Sequence, residues 1–266
     1  MKKSLTRKLL LASASALAVS GTAFAADLTM PILKAPPPPP ATWAGFYLGV
    51  DGGVARHDAF FNDIDGFWSN RGATFSTTAT GGVFGGYAGY NWQDRSFVYG
   101  LEADINGFFS VKATEVWDAD LGPDFRTAQQ SQNVPWVATF RGRLGLDFES
   151  TLVYFTGGLA VGKVENSFNG VCAASFACNG VPAGAVYAGF SENATRLGWT
   201  AGVGVEHMFS SHWTLRGEFR YVDLGKKSVA CSGPIPSNCT TFGTSTYRGE
   251  FSNTLTSGLV GIGYKF

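Results

Sequence analysis

The chain lacks what an enzyme or a nucleic-acid protein would need. Its three histidines, His57, His207 and His212, are dispersed, so they offer no ligand cluster. Its four cysteines, Cys172, Cys178, Cys231 and Cys239, lie in two polar segments without histidine, at spacings that do not suit zinc. There is no nucleophile elbow, no phosphate-cradling loop opening a helix and no paired His. Asp58 beside His57 is the one hint of acid-base chemistry, and adjacent residues in a polar segment are ordinarily just solvated. The reading is therefore no enzyme, no metal and no cofactor. A basic surplus is missing too. Lys2, Lys3, Arg7 and Lys8 stand in the first eight residues, and without them 16 basic residues face 20 acidic ones. That excludes the clustered positive surface a nucleic-acid partner wants. A helical repeat of 3.6 residues is absent after Trp43, as is any apolar run of the roughly twenty residues a spanning helix requires.

The amino end carries an export signal. The basic group is followed by the largely apolar run Leu9 to Val19 and by Ala23-Phe24-Ala25, a small-x-small cleavage site. Residues 1–25 are read as a cleaved signal peptide. The mature chain would start at Ala26-Asp27 and enter Pro36 to Pro40, five prolines with fixed φ and no amide donor. Residues 26–42 are thus a stiff polyproline II arm, able to reach about 50 Å at about 3.1 Å per residue.

From residue 43 to 266 the chain alternates with a period of two. Eight segments, near 43–55, 80–92, 97–109, 136–148, 152–164, 196–209, 213–225 and 254–266, are each long enough to cross a bilayer as tilted strands. Three connections are very short (93–96, 149–151 and 210–212). The other four, near 56–79, 110–135, 165–195 and 226–253, are long and polar. Short and long alternate strictly, which follows if turns lie on one side of a membrane and loops on the other. The fold class is all-β, an eight-stranded antiparallel up-and-down transmembrane β-barrel with no open edge.

One face of these strands is apolar and ends in aromatics. Trp43, Phe46, Trp92, Phe97, Phe148, Phe209, Trp213 and Phe266 are expected at the turn-side interface, and Phe109, Trp136, Trp199 and Tyr221 at the loop side. The other face carries Glu102, Asp104, Arg141, Arg143, Arg196, Glu206, Arg216, Glu218 and Arg220. A charge on lipid costs roughly 2–4 kcal/mol at the midplane, so these rows must point inward. Inward glycines such as Gly49, Gly85, Gly89 and Gly158 leave room for long side chains. The expectation is a plug of ion pairs, Arg141, Arg143 and Arg216 meeting Glu102, Glu206 and Glu218. A lipocalin would need the reverse polarity, an apolar cup and a polar exterior.

The four cysteines are even in number and in an oxidising compartment, so disulfides are the default. Three pairings are open. Cys172–Cys178 and Cys231–Cys239 each close a local loop and are favoured.

The last stretch, LTSGLVGIGYKF, puts Tyr264, Ile262, Val260 and Gly258 on one face and ends on Phe266. It resembles the closing strand of bacterial outer-membrane barrels, where such an ending, Tyr264 and Phe266 here, is read by the barrel-assembly machinery. The pieces TWAGFYLGVDGG, FVYGLEADINGFF, RGRLGLDF, VYFTGGLAVG, LGWTAGVGVEHMF and LRGEFRYVDLG together resemble the OmpA-like outer membrane β-barrel family. More narrowly, they look like the major 25/31-kDa outer-membrane proteins of alphaproteobacteria. The resemblance implies a structural outer-membrane protein supporting envelope integrity. Its implied surroundings are outer-membrane lipid and lipopolysaccharide, with no nucleic acid. Some members are described as small diffusion porins or as surface receptors binding haem, the alternative function. In the family an Ala-initiated mature end can be joined to peptidoglycan, which here would be Ala26.

Overall fold

The computed structural model describes residues 42–119, 126–172, 181–233, 239 and 246–266. The expected signal peptide, Ala26, the proline run and Cys178 lie outside the described residues. Ten strands account for most of the described chain. They are β1 (Gly45–Asp63), β2 (Ala73–Asp94), β3 (Phe97–Phe109), β4 (Ala113–Ala119), β5 (Arg126–Asn133), β6 (Trp136–Phe148), β7 (Thr151–Cys172), β8 (Val186–Met208), β9 (Trp213–Ala230) and β10 (Arg248–Lys265).

Eight of them form the ring β7-β6-β3-β2-β1-β10-β9-β8, every pair antiparallel, and β8 pairs back onto β7 to close it. Closure leaves the last strand hydrogen-bonded on both sides. β10 pairs with β9 from Arg248 to Tyr264 and with β1 from Gly249 to Lys265. The hairpin of β4 and β5 is a continuation of β3 and β6. β6 pairs with β7 up to Gly162, and β5 takes over from Glu165. Ser110, at φ 61°, bends the chain between β3 and β4. The three short turns fall where the sequence puts them, with Arg95 and Glu149 at positive φ in two of them.

The wall differs from expectation in length. β1, β2, β7, β8, β9 and β10 run 18 to 23 residues, and much of the four polar connections is strand rather than loop. The cause is that polarity is confined to the outer face there. Ala55, His57, Ala59 and Phe61 point inward from β1 and are fully buried, as are Phe168, Phe190 and Phe251 opposite them. Alternation therefore continues past the membrane, and a half-buried strand needs only that.

On the outer face, Leu48, Val50, Val54, Leu101, Ile105, Leu144, Phe155, Leu159, Leu197, Val203 and Ile262 are exposed, the arrangement a lipid-facing band requires. Outward charges begin only at Arg56, Asp58, Lys163 and Asp223. Phe46, Trp92, Phe97, Phe148, Phe209, Trp213 and Phe266 stand exposed at the turn-side end, with Phe109 and Trp199 at the other. Trp136 and Tyr221 are half-buried there, Tyr221 against Trp199 with ring centroids 5.3 Å apart. Trp43 breaks the pattern. It precedes β1, folds inside the barrel and is only 2% exposed.

Candidate functional site: the barrel lumen

The lumen is filled in layers. At the turn-side end Trp43 packs with Val98, Leu152, Tyr154 and Met208. Its indole Nε1 donates to Asp147 Oδ1 at 3.0 Å, and its backbone N to Gln93 Oε1 at 2.7 Å. Gln93 Nε2 in turn donates to Asp147 Oδ2 at 2.9 Å. A polar handle on each side thus draws Trp43 in, away from the interface where its residue type would otherwise settle.

Above that layer lies the charged cluster. Period two places Glu102 and Asp104 of β3, Arg141 and Arg143 of β6, Glu206 of β8 and Arg216, Glu218 and Arg220 of β9 inside, all at most 6% exposed. Register then decides who meets whom. Glu102 and Arg141 are direct cross-strand partners, and Arg141 Nη2 reaches Glu102 Oε1 at 2.5 Å. The same guanidinium contacts Glu218 at 2.5 Å and Asp104 at 3.0 Å. Arg216 bonds Glu102 at 2.8 Å and Arg220 bonds Glu218 at 2.9 Å and Asp104 at 3.0 Å. Arg143 bonds Glu206 and lies 4.0 Å from Glu102.

Two kinds of participant are absent from the sequence reading. Asp51 of β1 accepts from Arg216 Nη2 at 2.9 Å, and it shares the inward parity of Gly49, which was the available signal. Tyr47, Tyr87 and Tyr154 also face inward. Tyr47 OH donates to Glu102 at 2.9 Å, and Tyr154 OH to Glu218 at 3.0 Å. Arg143 stacks over Tyr154 at 3.8 Å and Arg216 over Tyr87 at 3.3 Å, both in reach of a cation–π attraction. The space over Gly49 and Gly89 goes to these rings. A Cβ on Gly49 would stand 2.3 Å from the Tyr87 ring, and one on Gly89 2.4 Å from Tyr47 OH.

Arg196 sits elsewhere. It is inside but nearer the loop side, bonded to Glu192 four residues before it and to the carbonyls of Gly225 and Phe251 at 3.0 and 3.2 Å. The sequence groups it with the lumen charge network, whereas the structure pairs it with Glu192 and leaves Glu206 to Arg143. The cluster proper is four guanidinium groups, on Arg141, Arg143, Arg216 and Arg220, facing five carboxylates.

Beyond the charges the lumen is apolar again. Val137, Ala160, Val164, Val222, Leu224 and Leu255 form one layer, with Ala55, Val83, Val111 and Leu259 beside it. His57 bridges the Val111 carbonyl and Asn253 Oδ1, each at 2.9 Å. Past the lipid band Phe61, Phe168, Phe190 and Phe251 form an aromatic core, with Phe61 stacked on Phe168 at 4.1 Å. Asp63 shapes the first loop over it, accepting from the backbone N–H groups of Gly66, Phe67, Trp68 and Ser69 at 2.6–3.1 Å. Phe67 and Trp68 then pack onto that core. At the rim Arg248 bonds Asp65 at 2.9 Å and holds its carboxyl below the usual carboxylate range.

Cys231 and Cys239 are joined in a disulfide. Cys172 is disulfide-bonded as well, and its expected partner Cys178 lies outside the described residues. Near the carboxyl end Tyr264 packs between Trp213 and Phe266, at 5.1 and 5.2 Å, and the Phe266 N–H donates to the Phe46 carbonyl at 3.0 Å. The Phe266 ring itself points outward and is exposed. Among the described residues no group of three or more His, Cys, Asp or Glu side chains is arranged to hold a metal ion.

A family model described as outer membrane protein beta-barrel domain matches residues 9–266. A 31 kDa outer-membrane immunogenic protein of Brucella melitensis is 34% identical over 233 residues, covering 84% of this chain and 89% of the relative. A 22 kDa outer membrane protein of Rhizobium leguminosarum is 32% identical over 73% of this chain and 70% of its own length. A 25 kDa outer-membrane immunogenic protein of Brucella melitensis is 26% identical over 98% of both chains. With its closed eight-stranded ring and outward apolar band, the chain belongs to the outer membrane protein β-barrel domain family and resides in the outer membrane.

Proposed function

We propose that this barrel is a structural component of the outer membrane, supporting envelope integrity, with a lumen plugged against solute flow and no catalytic role. The observation that carries this reading is the burial of the charged cluster. Arg141, Arg143, Arg216, Glu102 and Glu218 are each at most 4% exposed, between apolar layers on both sides. Eight strands enclose an interior just wide enough for side chains to fill, so such packing leaves no aqueous path. Lipid contacts belong to the outward apolar band, and the barrel-assembly machinery would read the Tyr264 and Phe266 end. Ala26 would be the point of covalent attachment to peptidoglycan, the proline run spanning the gap.

Purified barrel in a planar bilayer should give no stable conductance steps. Reproducible steps would overturn the plug and support a small diffusion pore. Digestion of sacculi with a muramidase, followed by mass mapping of released peptides, should find Ala26 bearing a peptidoglycan fragment. Unmodified Ala26 alone would leave the arm as a spacer.

A further inference from the structure

We propose that the cleft between β2 and β4, in the barrel wall beyond the lipid band, docks an extended polypeptide segment carrying a basic side chain. This goes beyond the structural role and is independent of whether the lumen is sealed.

A slip of phase opens the cleft. Through the membrane β2 pairs with β3, and that ladder ends at Gly82 and Phe109. Inward residues of β3 are even-numbered, as at Glu102, Asp104 and Asn106, whereas those that follow are odd-numbered, as at Val111 and Ala113. Ser110, at φ 61°, takes up the extra residue. A one-residue slip exchanges the faces of a strand, so the register of β3 cannot run on into β4. Among the described residues β4 pairs only with β5, and Ala73 to Gly81 of β2 only with β1. Two strand edges thus lie side by side without a ladder between them. Phe75 and Trp117 bridge them, their rings meeting edge-on at 5.3 Å.

Solvent reaches the interior through this gap. Glu115 has the inward parity of Ala113 and Trp117 yet is exposed, and Phe75, Ala79 and Trp117 are half-buried. Inward residues elsewhere at this height, such as Ala59, Phe168 and Phe190, are 0% exposed.

The chemistry of the cleft selects its occupant. The β2 edge, Ala73 to Gly81, is threonine-rich and carries neither charge nor proline, so nothing guards it against an added strand. Glu115 makes no ion pair or hydrogen bond with any described residue. Its cross-strand partner Gln130 and the next inward residue, Gln132, are fully buried. All four of their side-chain N and O atoms lack a hydrogen-bond partner among the described residues. Opposite Gln132 stands Ala113, too short to cover it. An extended segment on the β2 edge supplies backbone donors and acceptors to that edge, the mode of β-strand addition. A basic side chain on its inward face meets the Glu115 carboxylate, and small hydroxyl side chains two residues away meet the two carboxamides. An acidic segment would bring like charge to Glu115. The cleft is on the loop side of the membrane, so the segment comes from outside the cell.

The full chain, refolded into phospholipid nanodiscs, and a dye-labelled probe peptide, Thr-Ser-Thr-Lys-Thr-Ser-Thr, test this. Fluorescence anisotropy should show saturable binding, and amide hydrogen exchange within residues 73–81 should slow. Norleucine in place of the lysine, or Glu115→Gln in the barrel, should each weaken binding about tenfold, the scale of one charge-assisted bond. The two changes together should weaken it no further than either alone, as for groups that meet directly. Asp58→Asn, on the outer face of β1, should leave the affinity unchanged. N-methylation of every peptide amide, which keeps the lysine, should abolish binding and the slowed exchange. Absence of saturable binding to the wild type would overturn the proposal whatever the Glu115 variant does. So would additive losses for the lysine and Glu115 changes, binding that survives N-methylation, or binding that leaves exchange within 73–81 unchanged.

Discussion

Glu102 is the carboxylate on which the lumen cluster turns. Its Oε1 accepts from Arg141 at 2.5 Å, and its Oε2 accepts from Arg216 at 2.8 Å and Tyr47 at 2.9 Å. Three bonds to an ionised carboxylate, at about 1.5–3 kcal/mol each, would sum to roughly 4.5–9 kcal/mol if every partner were stranded. They are not. Arg141 keeps Asp104 and Glu218, and Arg216 keeps Asp51 at 2.9 Å. Glu102→Ala should therefore destabilise by about 3–5 kcal/mol, the range for breaking a buried ion pair. Glu206→Ala is the informative companion. Arg143 then retains Glu102 at 4.0 Å as its one carboxylate, besides the Tyr154 ring it stacks on, so one lost ion pair should cost as much as three contacts at Glu102. The surface pair Lys226–Glu250, at 3.7 Å with the lysine 70% exposed, is the control. Its removal should cost less than about 1 kcal/mol. Urea unfolding of the barrel in lipid vesicles, followed by tryptophan fluorescence, reads all three, and bilayer conductance of the same variants reads the plug. Glu102→Ala and Glu206→Ala midpoints no lower than that of the Lys226 control, with no conductance in either, would refute the reasoning that the cluster holds the lumen together.

Trp43→Ala should cost about 3–5 kcal/mol, as for a large buried aromatic. It should open no channel, since the charged cluster lies beyond it, and urea midpoints beside conductance check both halves. Asp63→Ala removes the acceptor of four backbone amides, so protease cleavage within residues 64–72 should accelerate several-fold while the midpoint of the barrel moves little. Replacing Phe266 with Lys should leave exported, unfolded chain in the periplasm, seen as loss of the heat-modifiable band from outer-membrane fractions. Reduction of Cys231–Cys239, which spans 8 residues, should lower stability by about 2–3 kcal/mol if the bridge acts by loop-closure entropy. Unfolding of the Cys231→Ser/Cys239→Ser variant beside the wild type measures it, since a reductant would also open the disulfide of Cys172.

Local pattern was enough to give the barrel. A period of two, charges that could not sit on lipid, and short turns at Arg95, Glu149 and Ser211 determine strand number, facing and closure. These are properties of each strand and its immediate neighbour, so one chain carries them. Register and three-dimensional reach decided the rest. Glu102 meets Arg141 beside it in the sheet, but it meets Arg216 only across the lumen, a contact no single strand encodes. Arg196 has the right parity for the cluster and still pairs locally, because Glu192 lies on its own strand and nearer. Trp43 carries an interfacial residue type and goes inside, because Asp147 and Gln93 of two other strands hold it there. The long walls past the membrane were hidden for the same reason. Serines and asparagines on their outer face read as loop, while the aromatic core that makes them strands is assembled from Phe61, Phe168, Phe190 and Phe251, residues brought together only when the barrel closes.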